Sequence, residues 1–270
     1  MKILIYVNKE KDYNLTCYNE LTALLLKNNI EFLLINDENL NDKISADVLF
    51  SIGGDGTILA LTDFAIKNDL AIIGINAGKL GFLCEFEKNE ISEIVKALLN
   101  DELVEDVREL IKITYKDKTF FALNDVYVQR TGNVAGALFH ELCFEIDGEL
   151  IAKYSCDGAI ISTSTGSTAY SFSLGGPLVA PNMSILLFAP IAPHSFNNRQ
   201  IVFSSGSVCK MYSTKNVSAG LFVDGKYVCN IEKDVEILVT KADTRIKFLR
   251  RKNGNFFTRL TKKMNKDYNI

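Results

Sequence analysis

A continuous apolar run, Val48 to Ile52, leads straight into Gly53-Gly54-Asp55-Gly56-Thr57 and then into Ile58-Leu59, where a helical pattern opens. A strand that turns through glycines into a helix exposes main-chain N–H groups to solvent. Without a Cβ in the way, phosphate oxygens can come close to that backbone, and the positive end of the helix favours an anion. A carboxylate in such a cradle needs a reason, because it repels phosphate. Either a divalent ion such as Mg²⁺ bridges the two charges, or Asp55 takes a proton from the attacking group. Both uses belong to phosphoryl transfer. The plain alternative is a turn built on Asp55-Gly56, as at the other Asp-Gly pairs of the chain. The hairpin pairs, Asp147-Gly148 and Asp224-Gly225, lie between runs of period two, whereas Asp55 follows a continuous apolar strand and precedes a helix.

Two further stretches carry polar groups where burial is expected. From Asp157 through Ser173, followed by Gly175-Gly176-Pro177, hydroxyls crowd a segment with no charge after Asp157. A flexible linker would lack the apolar borders seen here, Ala159 to Ile161 and Tyr170, Phe172 and Leu174. Hydroxyls and amides among aromatics suit a polar, uncharged ligand such as a nucleoside. Asn124-Asp125 interrupts the apolar run Phe120 to Val128. Neighbouring strand residues point to opposite faces, so the pair requires a bend or a strand that ends at a site. Asn124 can both donate to and accept from an adenine edge or a ribose, and capping of a turn explains the pair equally well.

Other chemistries find little support. Gly54 to Leu59 lacks the third glycine of the dinucleotide fingerprint. Gly74 to Leu80 is one residue short of a P-loop and lacks its Ser or Thr. His140 and His194 are the only histidines, and neither has a triad partner at a recognisable spacing. The six cysteines form no CxxC pair, so spacing indicates neither a zinc site nor a redox dithiol, and buried, reduced thiols are expected.

The elements that must position these groups alternate at first between strand and helix. Lys2–Val7, Glu31–Ile35, Val48–Ile52 and Ala71–Ile75 read as short buried strands. Leu15, Tyr18, Leu21, Leu24 and Leu25 mark one helix between them, and Ile58, Leu61, Phe64 and Ala65 another. This pattern predicts a parallel sheet covered on both faces, which binds ligands at the carboxyl ends of its strands. Beyond about residue 110 the period becomes two, in Ile111 to Tyr115, Cys143 to Ile146, Val235 to Val239 and Arg245 to Leu249. Asp147-Gly148 and Asp224-Gly225 stand where tight hairpin turns are needed. The prediction is an α/β N-terminal domain over 1–104 with a parallel sheet. A mainly antiparallel, β-sandwich-like domain follows over 105–270, ending in a helix-like stretch, Phe256 to Met264, with solvated lysines at Lys262, Lys263 and Lys266.

With 270 residues, 47% hydrophobic, the chain is long enough for one large or two ordinary domains, which excludes global disorder. A formal net charge of −3 provides no electrostatic footprint for phosphate backbones, so a nucleic-acid partner is not expected. No signal-peptide pattern opens the chain and no uncharged stretch is long enough to cross a bilayer. A cytoplasmic protein without membrane attachment is the expectation.

Taken in order, Gly53 to Thr57, Asn76-Ala77-Gly78-Lys79-Leu80-Gly81-Phe82-Leu83, Asn124-Asp125, Asp157 to Pro177 and Pro190 to Ser195 resemble the NAD kinase family. The GGDGT element alone is shared with diacylglycerol and sphingosine kinases; the STxTGSTAYS-like run and the Pro-His-Ser element are more specific. The resemblance implies transfer of a phosphoryl group from ATP, another triphosphate or polyphosphate to the 2′-hydroxyl of the adenosine ribose of NAD. It implies Asp55 as general base and Gly53, Gly54, Gly56 and Thr57 around the phosphates. Asn124, Asp125, Thr168, Ala169, Tyr170 and Ser173 would hold NAD. Asp157 and Ala192 would add contacts, supplied across subunits of a homodimer or homotetramer. A divalent metal ion, usually Mg²⁺, would accompany the nucleotide donor, with no metal ligand assigned among the side chains. Ser164 stands where many relatives have proline, Asp125 where glutamate is common and Lys226 where glutamine is frequent. A lipid-type kinase would need an apolar acceptor channel, against which the Ser/Thr-rich run argues. A non-catalytic dinucleotide-binding regulator has no evident use for an intact Asp55.

Overall fold

The computed structural model describes residues 1–131, 140–195 and 198–268. Two compact units emerge, one made of Met1–Val107 with Arg245–Ile270 and the other of Arg108–Thr244. The sequence-based division placed everything after 104 in one domain; the structure groups the last stretch with the first unit. The reason is strand pairing, described below.

In chain order the elements of the first unit are β1 (Lys2–Val7), α1 (Thr16–Lys27), β2 (Glu31–Ile35), β3 (Val48–Gly53), α2 (Asp55–Lys67), β4 (Ala71–Asn76), β5 (Phe86–Glu87) and α3 (Ile91–Leu99). Strand β6 (Leu103–Tyr115) leads onward to β7 (Lys118–Ala122), β8 (Asp125–Arg130), β9 (His140–Ile146), β10 (Glu149–Cys156) and β11 (Gly158–Thr163). A 3₁₀ turn at Thr165–Thr168 and the single-turn α4 (Tyr170–Ser173) follow, then β12 (Ile185–Ile191), β13 (Ile201–Ser204), β14 (Cys209–Ser213), β15 (Ala219–Val223) and β16 (Lys226–Asn230). The chain closes with the long β17 (Ile237–Arg251) and α5 (Phe256–Tyr268).

Strands β2, β1, β3 and β4 pair in that order, all parallel. Every residue of β3 and β4 is buried, which is why both read as unbroken apolar runs rather than alternating ones. Leu21 and Leu25 of α1 and Ile91, Ile94 and Val95 of α3 pack with Ile3, Ile5, Phe50 and Ile73 in one core. The end of β17 joins this sheet: Lys247 and Phe248 pair in parallel with Ala71 and Ile72 of β4. The period-two pattern of Arg245 to Leu249 identified a strand correctly but could not tell which sheet it enters.

The second unit holds a six-stranded, wholly antiparallel sheet in the order β13-β12-β11-β8-β15-β16. Antiparallel pairing also joins β10, β9, β14 and the start of β17. Side chains of both sets form one core, with Phe144 of β9 stacked on Phe188 of β12 at 3.7 Å between ring centres. The α/β-then-sandwich architecture expected from the sequence is therefore present. The two Asp-Gly pairs expected to turn hairpins do so, with positive φ at each position: 51° and 85° at Asp147-Gly148, 47° and 80° at Asp224-Gly225. Within the described residues no helix is long and apolar enough to cross a membrane.

Candidate active site

Asp55 is the first residue of α2, directly after the glycine turn that ends β3. Its carboxylate accepts three successive main-chain N–H groups. Oδ2 takes that of Phe82 at 2.7 Å, while Oδ1 takes those of Leu83 at 3.0 Å and Cys84 at 3.3 Å. A carboxylate has about four lone-pair sites, so three donors fix its orientation and leave capacity for one more proton donor. This close approach requires Gly81, since a Cβ there would fall on the Asp55 carboxyl group.

The glycines of the turn divide by purpose. A Cβ on Gly53 would overlap the side chain of Thr57. The Thr57 hydroxyl instead accepts the N–H of Gly54 at 3.3 Å and an amide proton of Asn8 at 3.2 Å. Gly54 and Gly56 have open space where a Cβ would stand. Gly54 has φ −147°, so its backbone has no need of glycine. What the bare backbone offers is approach: the first N–H groups of a helix lack intrahelical acceptors and carry the positive end of its dipole.

In the second unit the expected strand Phe120 to Val128 is two strands, β7 and β8, separated at Leu123-Asn124. Asn124 and Asp125 are both buried, so the pair lies where a strand starts at a site rather than on an open face. Thr163 anchors the break from the neighbouring strand, donating its N–H to Asn124 O at 2.8 Å and its hydroxyl to Leu123 O at 2.6 Å. A Cβ on Gly166 would strike Asn124 O, which makes that glycine part of the same joint. The hairpin residue Asp224 accepts the N–H groups of Leu123, Asn124 and Asp125 at 2.8, 2.7 and 3.0 Å. Sequence reasoning read Asp224 only as a turn; nothing local distinguishes it from Asp147.

Burial, followed by the neighbouring charge of Asp224, pushes the Asp125 carboxyl up to about 8, although the Tyr170 N–H hydrogen bond pulls the other way. Asp125 is thereby a proton donor at neutral pH, able to offer its O–H to an acceptor. Tyr170 packs edge-on against Tyr127 at 5.0 Å, and Tyr127 stacks on Phe222 at 4.8 Å. Thr168, Ala169 and Tyr170 are half-buried and Ser173 is exposed. The hydroxyl-rich run thus stands beside the Asn124-Asp125 joint on an aromatic support. Arg108, buried and donating to Thr165 Oγ1 at 3.2 Å, braces the 3₁₀ turn; it is a second residue the sequence reading did not single out.

Asp157 and Ala192 stand elsewhere. Ser162 of β11 faces Asp125, whereas Gly158 at the other end of β11 faces Gln129 and Ile191. At about 3.4 Å per residue, Asp157 is roughly 17 Å along the strand from Ser162. Ala192, with φ 46°, follows β12 at that far end, where Asp157 also pairs with Arg130 at 3.4 Å. Within one chain these two residues form a group apart from Asn124, Asp125 and Tyr170.

His140 is fully buried on β9, and burial lowers its pKa, whereas His194 is exposed. The six cysteines are unpaired, five of them buried. Lys263 departs from the expected solvated tail by lying over the Phe82 ring at 4.7 Å, and the Lys266 side chain lies outside the described residues.

Residues 38–103 match the ATP-NAD kinase N-terminal domain and residues 123–251 the ATP-NAD kinase C-terminal domain. The chain belongs to the NAD kinase family. An NAD kinase of Caldicellulosiruptor bescii is 34% identical over 98% of this chain and 99% of its own length. One from Clostridium perfringens is 35% identical over 96% and 97%. Among solved structures, an NAD kinase from Archaeoglobus fulgidus in complex with ATP has TM-score 0.73 and 25% identity, covering 93% of this chain and 94% of that one. Yeast NADH kinase complexed with NADH, at TM-score 0.80 and 22% identity over 97% and 86%, shares the fold. Membership makes the chain a kinase of the NAD kinase family, as the order of its motifs implied.

Proposed function

We propose that this NAD kinase transfers the terminal phosphoryl group of a nucleoside triphosphate or polyphosphate to the 2′-hydroxyl of the adenosine ribose of NAD, with Asp55 as general base. The observation that carries this reading is the Asp55 carboxylate, oriented by three main-chain amides at the start of α2. A ribose hydroxyl is a poor nucleophile at neutral pH. A fixed carboxylate with an acceptor position to spare takes its proton as the bond to phosphorus forms. Gly54 and Gly56 leave the α2 N-terminus bare for the phosphates, while Gly53 and Thr57 shape the turn.

Asn124, protonated Asp125 and the segment Thr168, Ala169, Tyr170 and Ser173 hold the adenosine, the aromatic set supplying a stacking surface. Asp157 and Ala192, at the far end of β11 and β12, suit contacts to a nucleotide bound by a neighbouring copy in a homodimer or homotetramer. Among the described residues no three His, Cys, Asp or Glu side chains converge as metal ligands. The chain's own residues therefore do not fit a resident metal cage. A divalent ion, Mg²⁺, would accompany the triphosphate and offset its charge.

The test is NADP formation from NAD and ATP by the purified protein, alongside Asp55→Asn. The substitution should leave the KM for NAD nearly unchanged and cut kcat by at least about two orders of magnitude, the scale of general-base removal. Turnover near that of the unaltered enzyme rules out Asp55 as the base. Phosphorylation of a diacylglycerol instead of NAD would move the protein to the lipid kinases.

A further inference from the structure

Behind the segment that holds Asp55 stands a set of charged side chains to which the proposed reaction assigns no role. Arg250, near the end of β17, donates from Nη2 to Leu83 O at 3.2 Å and from Nη1 to Glu85 Oε2 at 3.0 Å. Its Nε also pairs with Asp106. Arg259, on α5, donates from Nη2 to Glu85 O at 2.6 Å and to Glu85 Oε2 at 3.2 Å. These side chains are well covered: 11% exposed for Arg250, 13% for Arg259 and 9% for Glu85. On the same segment the Phe82 ring meets Phe256 of α5 at 5.9 Å.

The connection to Asp55 runs through one planar group. Leu83 O and the Cys84 N–H belong to the same peptide unit, and in a trans peptide they point in opposite directions. Arg250 binds the oxygen and Asp55 binds the hydrogen, giving the series guanidinium, C=O, N–H, carboxylate. A rigid plane gripped on one edge by a fixed cation sets the direction of the bond offered on the other edge, and the aligned dipoles strengthen each other. Arg259 fixes the next carbonyl but one, at Glu85, and so closes off sliding of the segment along its own length. At Arg250 a lysine could supply the charge but not the separate nitrogens that reach Leu83 O, Glu85 and Asp106 in a fixed fork, whereas both Arg259 bonds leave from Nη2.

We propose that Arg250 and Arg259 are positioning residues for Asp55, acting through the backbone of Phe82 to Glu85. This rests on Asp55 being the base. The whole set, Arg250, Arg259, Glu85, Asp106 and α5, lies within the first unit, so the last helix of the chain takes part in holding the first catalytic group.

A mutant cycle tests it. Arg250→Met, Arg259→Met and Arg259→Lys are each made alone and together with Asp55→Asn, and kcat and the KM values for NAD and ATP are measured on protein whose fold is checked by thermal melting. Arg250→Met and Arg259→Met should each lower kcat about tenfold or more, while both KM values stay within about twofold. Together with Asp55→Asn they should cost nothing further, because residues acting as one unit are not additive. Arg259→Lys should recover part of the loss. Equal fold-losses with and without Asp55→Asn, a change led by KM, or unchanged kcat overturns the proposal. If Arg250→Met does not fold, Arg259→Met, on the terminal helix, decides by the same criteria. Near-normal turnover of Asp55→Asn by itself overturns the assignment of the base and this proposal with it; a large loss there with additive arginine effects overturns this proposal alone.

Discussion

Asp224 grips Asp125 by its backbone while opposing its side chain: one Asp224 oxygen takes the Asp125 N–H at 3.0 Å, and the same charge disfavours ionisation of the Asp125 carboxyl. Burial contributes more than that charge, and the pull of the Tyr170 N–H does not offset the two. The folded chain therefore retains a proton at Asp125 up to about pH 8, whereas the unfolded chain releases it near the ordinary value of 3.8. Between those limits the folded state binds more protons, so this residue's contribution to stability declines as pH rises. Asp125→Asn removes that dependence. Its melting temperature should match the unaltered protein most nearly around pH 5 and exceed it by a growing margin toward pH 8.5. Melting curves in both proteins across that range check this; a gap independent of pH would contradict it.

The second prediction concerns Asp224 itself. Asp224→Ala strands three main-chain donors near a buried joint and should lower stability by about 3 kcal/mol or more, given roughly 1–3 kcal/mol for each unsatisfied buried group. Asp224→Asn should cost much less. Its remaining oxygen can serve Asn124 and Asp125, which share Oδ1 in the native chain, and asparagine tolerates the φ of 47°. Denaturant titration of both variants ranks them; equal losses would mean that the amide bonds are not what Asp224 contributes.

At Gly81 the expected defect is in rate. A methyl group there displaces the Asp55 carboxyl from its three amides, and an error of about 1 Å in a reacting group costs on the order of a hundredfold. Gly81→Ala should lower kcat between about tenfold and a hundredfold with little change in the KM for NAD. Steady-state kinetics at saturating ATP reads both quantities.

The adenosine contacts should behave in the opposite way. Thr168→Ala and Tyr170→Ala remove binding surface present in ground and transition states alike, so KM for NAD should rise, by about tenfold for Tyr170, with kcat held within a few-fold. A variant in which only kcat moves would place the nucleoside pocket elsewhere.

Much of this molecule was legible because its signals are local. The buried strands Val48–Gly53 and Ala71–Asn76 are unbroken apolar runs, the hairpin glycines need positive φ, and Asp55 announces itself by following a strand and opening a helix. What stayed hidden depends on contacts made across the chain. Asp224 reaches residues about a hundred positions earlier, and Arg259 reaches Glu85 from 174 positions away. Neither residue type nor spacing encodes such a meeting. The same holds for Gly81, whose missing Cβ matters only because Asp55 occupies the space. The separation of Asp157 and Ala192 from Asn124 follows from strand register, which becomes visible only once β8, β11 and β12 are aligned.

Because Arg245–Ile270 group with Met1–Val107, the order of synthesis and the order of assembly differ. On the ribosome the sandwich of residues 108–244 can close as soon as it emerges, while the earlier-made α/β portion waits for the final strand and helix. A nascent chain halted before residue 245 would thus hold a complete sandwich unit and an α/β unit still lacking both the strand that pairs with β4 and the helix whose arginine reaches Glu85.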